Sequence, residues 1–135
     1  MIQLPISILD SHIYSSLIKN GVDKEIVARS VFLQGVLFNR NNIHAEIKQA
    51  EDLLRSISVI DSLVRKYKTD LLTLACTFVS TLKEVNYMIV GTSCSKHLSN
   101  IVYASKSSLQ SDLYTEIKVF SDQYKDWGNP RNWKC

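Results

Sequence analysis

The chain has 135 residues, of which 45% are hydrophobic, so it can bury the core of about one domain. Its formal net charge of +3 comes with scattered Lys and Arg, which gives no support to nucleic-acid binding. The three cysteines stand at long spacings without a zinc or redox motif, which indicates reduced thiols in a cytoplasmic protein. The residues after Met1 do not resemble a signal peptide, and the longest apolar run, 71–82, is too short to span a membrane.

The first predicted unit is a short strand followed by a helix. Ile2-Gln3-Leu4 has the composition of a strand, and Pro5, which has no N–H to donate, is expected to end its ladder. Asp10 or Ser11 can cap the helix that follows, and Gly21 is a plausible stop for it.

The second predicted unit begins with a strand over residues 25–29, whose loop runs through Phe38 to a polar surface segment at 39–42. From about Ala45, apolar residues recur at spacings of three and four, which predicts a helix with one buried face. That face consists of Leu53, Ile57, Ile60, Val64 and Tyr67.

A core helix then extends from Thr69 or Asp70 to about Lys83, and it contains Cys76. The third strand is predicted over residues 86–90, and its loop leads into a helix that Ser95 can cap and that ends near Ser105. A last helix has an apolar face formed by Leu109, Leu113, Ile117, Phe120 and Tyr124.

After this helix, Gly128-Asn129-Pro130 is expected to break the helical pattern and to leave Trp127 and Trp133 in an exposed aromatic tail. Strands that alternate with helices predict an α/β fold with a parallel sheet and right-handed crossovers. A closed barrel takes eight strands and about 250 residues, and bare parallel edges are unfavourable. The pattern over residues 1–135 is therefore typical of the C-terminal part of a larger domain.

Two loops follow predicted strands and carry polar groups that suit a ligand. The first offers Ser30, Gln34 and the backbone amides around Gly35, which are donors that fit a pyrophosphate. The second begins at Gly91 and leads into a helix N-terminus, whose amides favour an anion. Residues of this loop and of the first helical turn that could contact a ligand are Thr92, Ser93, Ser95, Lys96, His97 and Asn100.

Each of these residues also has a purely structural interpretation. Ser and Thr after a strand commonly form turns and caps, Gly91 can serve only the turn, and His97 can be a surface helix residue. Arg29, at the end of the second strand, can be a surface salt-bridge residue. Asp10 and His12 are explained by a cap and a solvated histidine, and Cys94 in the second loop could be reactive. No catalytic or metal-binding spacing stands out, since His12, His44 and His97 fall on different elements.

Taken together, four segments resemble the C-terminal part of the aldo-keto reductases, which are (β/α)8, or TIM, barrels that reduce carbonyls with NADPH. The segment from Arg29 to Leu37 is similar to the family's seventh-strand loop and is the most specific of the four. The other three are residues 2–10, which resemble the sixth strand, Ile89–Ser93 with Leu98, which resemble the eighth strand and its loop, and residues 129–133, which resemble a common ending. The resemblance implies that the chain holds the last three strands, β6–β8, or about 40–45% of a barrel.

The resemblance also implies roles for individual residues in binding NADP(H). Gln3 would contact the nicotinamide carboxamide, and Arg29 would stack on the nicotinamide through its planar guanidinium. The pyrophosphate would be lined by Ser30, Phe32, Gln34 and Gly35. Ser93 and His97 would lie near the adenosine ribose and its 2′-phosphate, with Asn100 at a position that is often Glu. Ile101 departs from the family's usual Asn, which contacts adenine.

The family's catalytic Asp, Tyr, Lys and His come from the first four strands, for which these residues have no counterpart. Neither Tyr14 nor His12 can simply take over those roles. We therefore expect a carbonyl reductase segment that binds cofactor and is inactive alone. The alternatives are a non-catalytic half-barrel that oligomerises or binds a partner chain, and a decayed product that folds poorly. The sequence does not identify the substrate.

Overall fold

The computed structural model describes residues 1–43, 49–128 and 132–133. It has an α/β fold with a three-stranded parallel sheet and five α-helices, as predicted. In chain order the elements are β1 (Ile2–Pro5), α1 (His12–Lys19), β2 (Ile26–Arg29), α2 (Ala50–Lys66), α3 (Leu71–Thr81), β3 (Val85–Met88), α4 (Ser95–Ser105) and α5 (Ser111–Ser121). The predicted helix start at Ala45, His44, the Asn129-Pro130-Arg131 segment and Cys135 lie outside the described residues.

The three strands pair in the order β1-β2-β3, with Ile2 opposite Ile26 and Pro5 opposite Arg29. Strand β1 ends at Pro5, as predicted, and the next amide, that of Ile6, still donates to the Arg29 carbonyl (3.1 Å). Successive residues of a strand turn their backbone groups to opposite sides, so a proline on an edge strand can point its missing N–H away from the partner.

Helix boundaries are set by side chains close to those that the sequence indicated. The Asp10 carboxylate accepts from the His12 amide (3.1 Å) at the start of α1, whereas Ser11 makes no such capping bond. Asp70 caps α3 by accepting from the Thr73 amide (2.9 Å), as predicted. Ser95 proved to be the first residue of α4 rather than its cap.

One face of the sheet carries the hydrophobic core. Leu4 and Ala28, opposite each other in the register, are buried there beneath the helices. Helix α2 contributes the stripe that its spacing predicted, with Ile57 and Ile60 fully buried. Helix α3 is buried on most of its circumference, including Cys76, and the Thr77 hydroxyl donates to the Ala104 carbonyl of α4 (2.9 Å). This bond ties the two helices together.

In the described part of the chain, the opposite face of the sheet is exposed on the two outer strands, whereas Val27 on the central strand is buried. Side chains alternate between the two faces of a strand, and the register aligns Gln3 with Val27 and Val27 with Tyr87. Gln3 is exposed, Tyr87 is 57% exposed, and Ile89, which follows β3 directly, is 51% exposed. Parallel sheets normally have both faces covered, so this face and the sheet edges are where further structure would pack.

The residues after α5 depart most from prediction. The helix ends at Ser121, and Tyr124, which the periodicity assigned to its buried face, is 69% exposed. The aromatic tail expected to be exposed instead folds back: Trp127 is 3% exposed, and the half-buried Trp133 donates its Nε1–H to the Trp127 carbonyl (2.8 Å). The chain turns after Ser121, so helical periodicity no longer reports which side chains are buried.

Candidate functional site

The loop after β2 has an unusual backbone. Ser30 has a φ of 58°, and a tight turn over Leu33–Gly35 has positive φ at all three residues, 47°, 56° and 81°. Only Gly adopts a positive φ without steric cost. Each other residue with a positive φ costs about 1–3 kcal/mol, which interactions elsewhere in the structure must offset. Leu33 is 1% exposed and anchors the turn in the core. The Gly35 amide donates to the Phe32 carbonyl (2.9 Å) and closes it.

The loop after β3 joins the sheet to α4. The Ile89 amide still pairs with the Ala28 carbonyl (2.8 Å), and the chain then passes through Gly91 into the loop. The Thr92 hydroxyl accepts from the Cys94 amide (3.2 Å) and fixes the entry into the helix. This is the turn role that was considered as the alternative for Thr92, and it does not prevent the residue from lining a cavity.

The two loops meet in a cavity of about 540 Å³ at the carboxyl ends of the strands, which we call the first cavity. Both predicted loops contribute to it, as does α4. The predicted site residues that it brings together are Phe32, Gly35, Gly91, Thr92, His97 and Asn100. This is the edge of a parallel α/β sheet where ligands commonly bind.

Four further residues line the first cavity: Phe38, Asp70 and Leu72, which the sequence had not placed in the site, and Ile101, whose position the resemblance assigns to an adenine contact. Asp70 was recognised only as a helix cap. A helix that leads through a short loop into a parallel strand runs antiparallel to it, so α3 begins near the ends of the strands. That geometry is the signal that could have placed Asp70 and Leu72 at the site. Ile101, 3% exposed, packs near Cys76 and makes this wall apolar.

A smaller cavity of about 200 Å³ adjoins the first one and shares Phe32, Gly35 and Gly91 with it. This second cavity brings in two more predicted residues, Ser30 and Gln34. The predicted pyrophosphate residues of the first loop therefore line one continuous region.

Five predicted residues line neither cavity: Gln3, Arg29, Ser93, Ser95 and Lys96. Gln3 is exposed on the open face of the sheet, and Ser93 is exposed in the second loop. Arg29 is half-buried at the end of β2, where its Nη1 donates to the Ser30 hydroxyl (3.3 Å). Gln3 and Arg29 point toward the same side of the sheet, since they are two residues apart in the paired register.

The two cysteines of the described residues are free and differ in environment. Burial, with a smaller contribution from Asp70, raises the pKa of Cys76 to about 11, so its thiol stays protonated. Cys94 is half-buried at the start of α4.

The Asp10–His12 pair lies apart from both cavities. The histidine was expected to be solvated, but its ring is half-buried, with Nδ1 2.7 Å from the Asp10 carboxylate and an edge-to-face contact with Tyr124. Asp10 itself is 6% exposed. The Asp10 carboxylate closes the turn after β1 and orients the His12 ring.

A comparison with protein families matches residues 1–122 to the family described as the Aldo/keto reductase family. The chain belongs to the aldo/keto reductase family. The match ends directly after α5, so the folded-back segment with Trp127 and Trp133 lies beyond it. The resemblance drawn from the two loops is thus confirmed at the level of the family. A search of curated proteins found no match.

Membership of the aldo/keto reductase family gives the cavities a chemical context. The family generally uses nicotinamide cofactors in oxidoreductase reactions.

Of the helices that the structure describes, none has both the length and the hydropathy needed to cross a bilayer.

Proposed function

We propose that residues 1–135 form the cofactor-binding part of an aldo/keto reductase barrel, with β1, β2 and β3 as its sixth, seventh and eighth strands. The reaction would be carbonyl reduction, with the bound nicotinamide dinucleotide supplying the hydride. The observation that carries the proposal is the first cavity, because two strand-end loops and a helix N-terminus converge on it.

The residues present fit an elongated ligand with an anionic centre. The second cavity offers the Ser30 hydroxyl, the Gln34 amide and the backbone of a turn with successive left-handed residues, where amides can gather around a phosphate. We propose that Ser30, Phe32, Gln34 and Gly35 hold the pyrophosphate. The apolar wall of the first cavity, next to Phe38, suits the adenine ring.

The two ends of the cofactor would be held by the remaining residues. We propose that Gln3 and Arg29 contact the nicotinamide end, since both lie on the open side of the sheet. On the adenosine side we propose His97 and Asn100 from α4, which line the first cavity, together with the strand-end backbone at Gly91 and Thr92. Ser93, which is exposed beside this cavity, would approach the ribose. The family's usual cofactor is NADP(H).

Catalysis is a separate question from binding. By resemblance the catalytic Asp, Tyr, Lys and His belong to the first four strands, and we propose that the 135-residue chain has no reductase activity alone. Tyr14 does not replace the catalytic tyrosine. It is 5% exposed, its hydroxyl donates to Glu84, and burial together with that bond raises the pKa of the phenol. A group held in this way is a poor proton donor.

Purified chain incubated with NADPH and 4-nitrobenzaldehyde, followed at 340 nm, should show no turnover above the blank. Turnover would contradict this part of the proposal.

We also propose a reducing, cytoplasmic setting, in which Cys76 and Cys94 remain thiols.

A second candidate function is favoured by the open face of the sheet. Tyr87 and Ile89 are more than half exposed there, and a partner chain that supplies further strands would cover them. The protein would then be a non-catalytic module that associates with itself or with a partner. Light scattering after size exclusion separates the two cases. A folded monomer that binds dinucleotide supports the first proposal, and an oligomer that binds none supports the second.

The binding proposal is tested by thermal melts with and without NADPH, followed by circular dichroism. A ligand at a hundredfold excess over Kd adds about 2.7 kcal/mol of stability if it binds only the folded chain. Gly91 provides a cavity-blocking variant, because a Cβ there meets no atom within 4 Å and the residue lines both cavities.

Gly91→Leu should fold as wild type and lose the NADPH-dependent shift, with Gly91→Ala intermediate. Lys83→Leu, at an exposed position that lines neither cavity, is the matched control and should keep the full shift. A full shift in Gly91→Leu would mean that the ligand binds elsewhere.

A further inference from the structure

The described lining of the first cavity contains one acidic side chain, that of Asp70, which is exposed, and no Lys or Arg. His97 is the other titratable group. One carboxylate oxygen of Asp70, Oδ1, accepts from the Thr73 amide at the start of α3. The carboxylate is therefore oriented by its own helix, and within the described part of the chain its second oxygen accepts no hydrogen bond.

Lys96 does not add a positive charge to the lining of the first cavity. It precedes His97 on α4, and adjacent helical residues point about 100° apart, so the two side chains leave the helix on different faces. Lys96 is exposed and does not line the first cavity. Lys96 therefore supplies no positive charge to the lining of the first cavity, where a 2′-phosphate would need one.

We infer that the first cavity selects an adenosine ribose with a free 2′-hydroxyl, so that the cofactor is NAD(H) in preference to NADP(H). The inference rests on the proposed function of the cavity. A 2′-hydroxyl can donate to a carboxylate, and an acidic side chain fulfils this role in other dinucleotide sites. A 2′-phosphate would bring negative charge toward Asp70, and no Lys or Arg among the described lining residues would compensate.

Two probes isolate the adenosine end of the cofactor: ADP-ribose and 2′-phospho-ADP-ribose. Their binding to the purified 135-residue chain is measured by titration calorimetry, with NAD⁺ and NADP⁺ as full-length counterparts. We expect ADP-ribose to bind on the order of tenfold more tightly than its 2′-phosphorylated form, the size of effect that one nearby like charge produces at a partly exposed site.

Asp70→Asn removes the charge and retains a good capping residue, so the helix should stay formed. It should raise the affinity for the 2′-phosphorylated probe several-fold and remove most of the preference. Asp112→Asn makes the same change in charge at an exposed position in the first turn of α5 and should leave the preference intact.

Three outcomes would contradict the inference, and they can be told apart. Equal or tighter binding of 2′-phospho-ADP-ribose overturns it and leaves the proposed function standing. A preference that Asp70→Asn does not alter, or that Asp112→Asn alters equally, shows that the carboxylate of Asp70 is only a helix cap. Failure of all four probes to bind the folded chain overturns the proposed function and the inference with it.

Discussion

The contact between Gly128 and Asp10 gives the sharpest test of how the C-terminal segment is held. Gly128 is buried, and a Cβ at this position would lie 2.6 Å from Asp10 Cγ and would overlap the carboxylate. Real Cβ atoms do not approach other atoms so closely. Asp10 cannot simply swing away, because it is 6% exposed and holds both the His12 amide (3.1 Å) and the His12 ring (2.7 Å).

Gly128→Ala should therefore destabilise the chain by about 2–4 kcal/mol. Overpacking of a filled site costs about 1–3 kcal/mol, and loss of a hydrogen bond to a charged group costs about 1.5–3 kcal/mol. The total is less than the sum of the two, because relaxation of the structure relieves part of the clash. For a chain of this size the loss corresponds to a fall in Tm on the order of 10 °C. Urea unfolding followed by circular dichroism and by tryptophan fluorescence measures it, since Trp127 is the adjacent residue.

The mechanism itself is tested by a double-mutant cycle with Asp10→Ala. If the alanine methyl clashes with the carboxylate, Gly128→Ala should cost at least about 1 kcal/mol less once that carboxylate is gone. Gly91→Ala is the matched control, and it should change stability by less than about 0.5 kcal/mol because its Cβ meets open space. Equal stability of Gly128→Ala and wild type would refute the reasoning.

Two further predictions concern titratable groups. In a variant that keeps Cys76 as its one cysteine, Ellman's reagent at pH 8 should react only as fast as the chain unfolds, because this side chain is fully buried and burial also raises its pKa to about 11. A variant with Cys94 alone should react promptly, and equal rates would contradict the assignment. Burial acts to raise the pKa of Asp122, but bonds from Lys118 and from the hydroxyls of Ser15 and Ser11 outweigh it and lower the pKa below 3.8. The stability from this pairing is present above pH 3.8 and is lost as pH falls through the lower folded-state pKa. Asp122→Asn should cost about 1–3 kcal/mol at pH 7 and less at pH 2, as measured by urea unfolding; a pH-independent cost would contradict it.

The order of strands and helices could be predicted because each element repeats one pattern over several residues. The apolar face of α2 and the nearly continuous apolar run of α3 are visible in the sequence, and residues of both are buried in the structure. The loops could be predicted as a site because polar residues and glycine follow two buried strands. Phe32 and His97, which are far apart in sequence, line the same cavity for this reason.

Other features had no local signal. The positive φ of the buried Leu33 and of the exposed Gln34 could not be predicted, since neither residue favours that conformation by itself. Trp127 is buried in the core cluster that also contains residues from the start of the chain, and its neighbour Gly128 lies against Asp10, more than 100 residues away along the chain. The part that Asp70 plays in the cavity depends on where α3 starts relative to the strand ends, whereas its part as a cap is visible in the sequence.

The hydrogen bond between Thr77 and the Ala104 carbonyl has a consequence for how the first cavity changes shape. It joins α3 to α4, and these helices carry Asp70 on one side and His97 on the other. The two helices are therefore joined to each other, while the loop after β2, anchored by the buried Leu33, and the loop after β3 form the rest of the lining. A molecule that needs more room than the first cavity offers would therefore be accommodated by movement of the loops, and the rate at which the loop after β2 opens would depend on how fast Leu33 leaves the core.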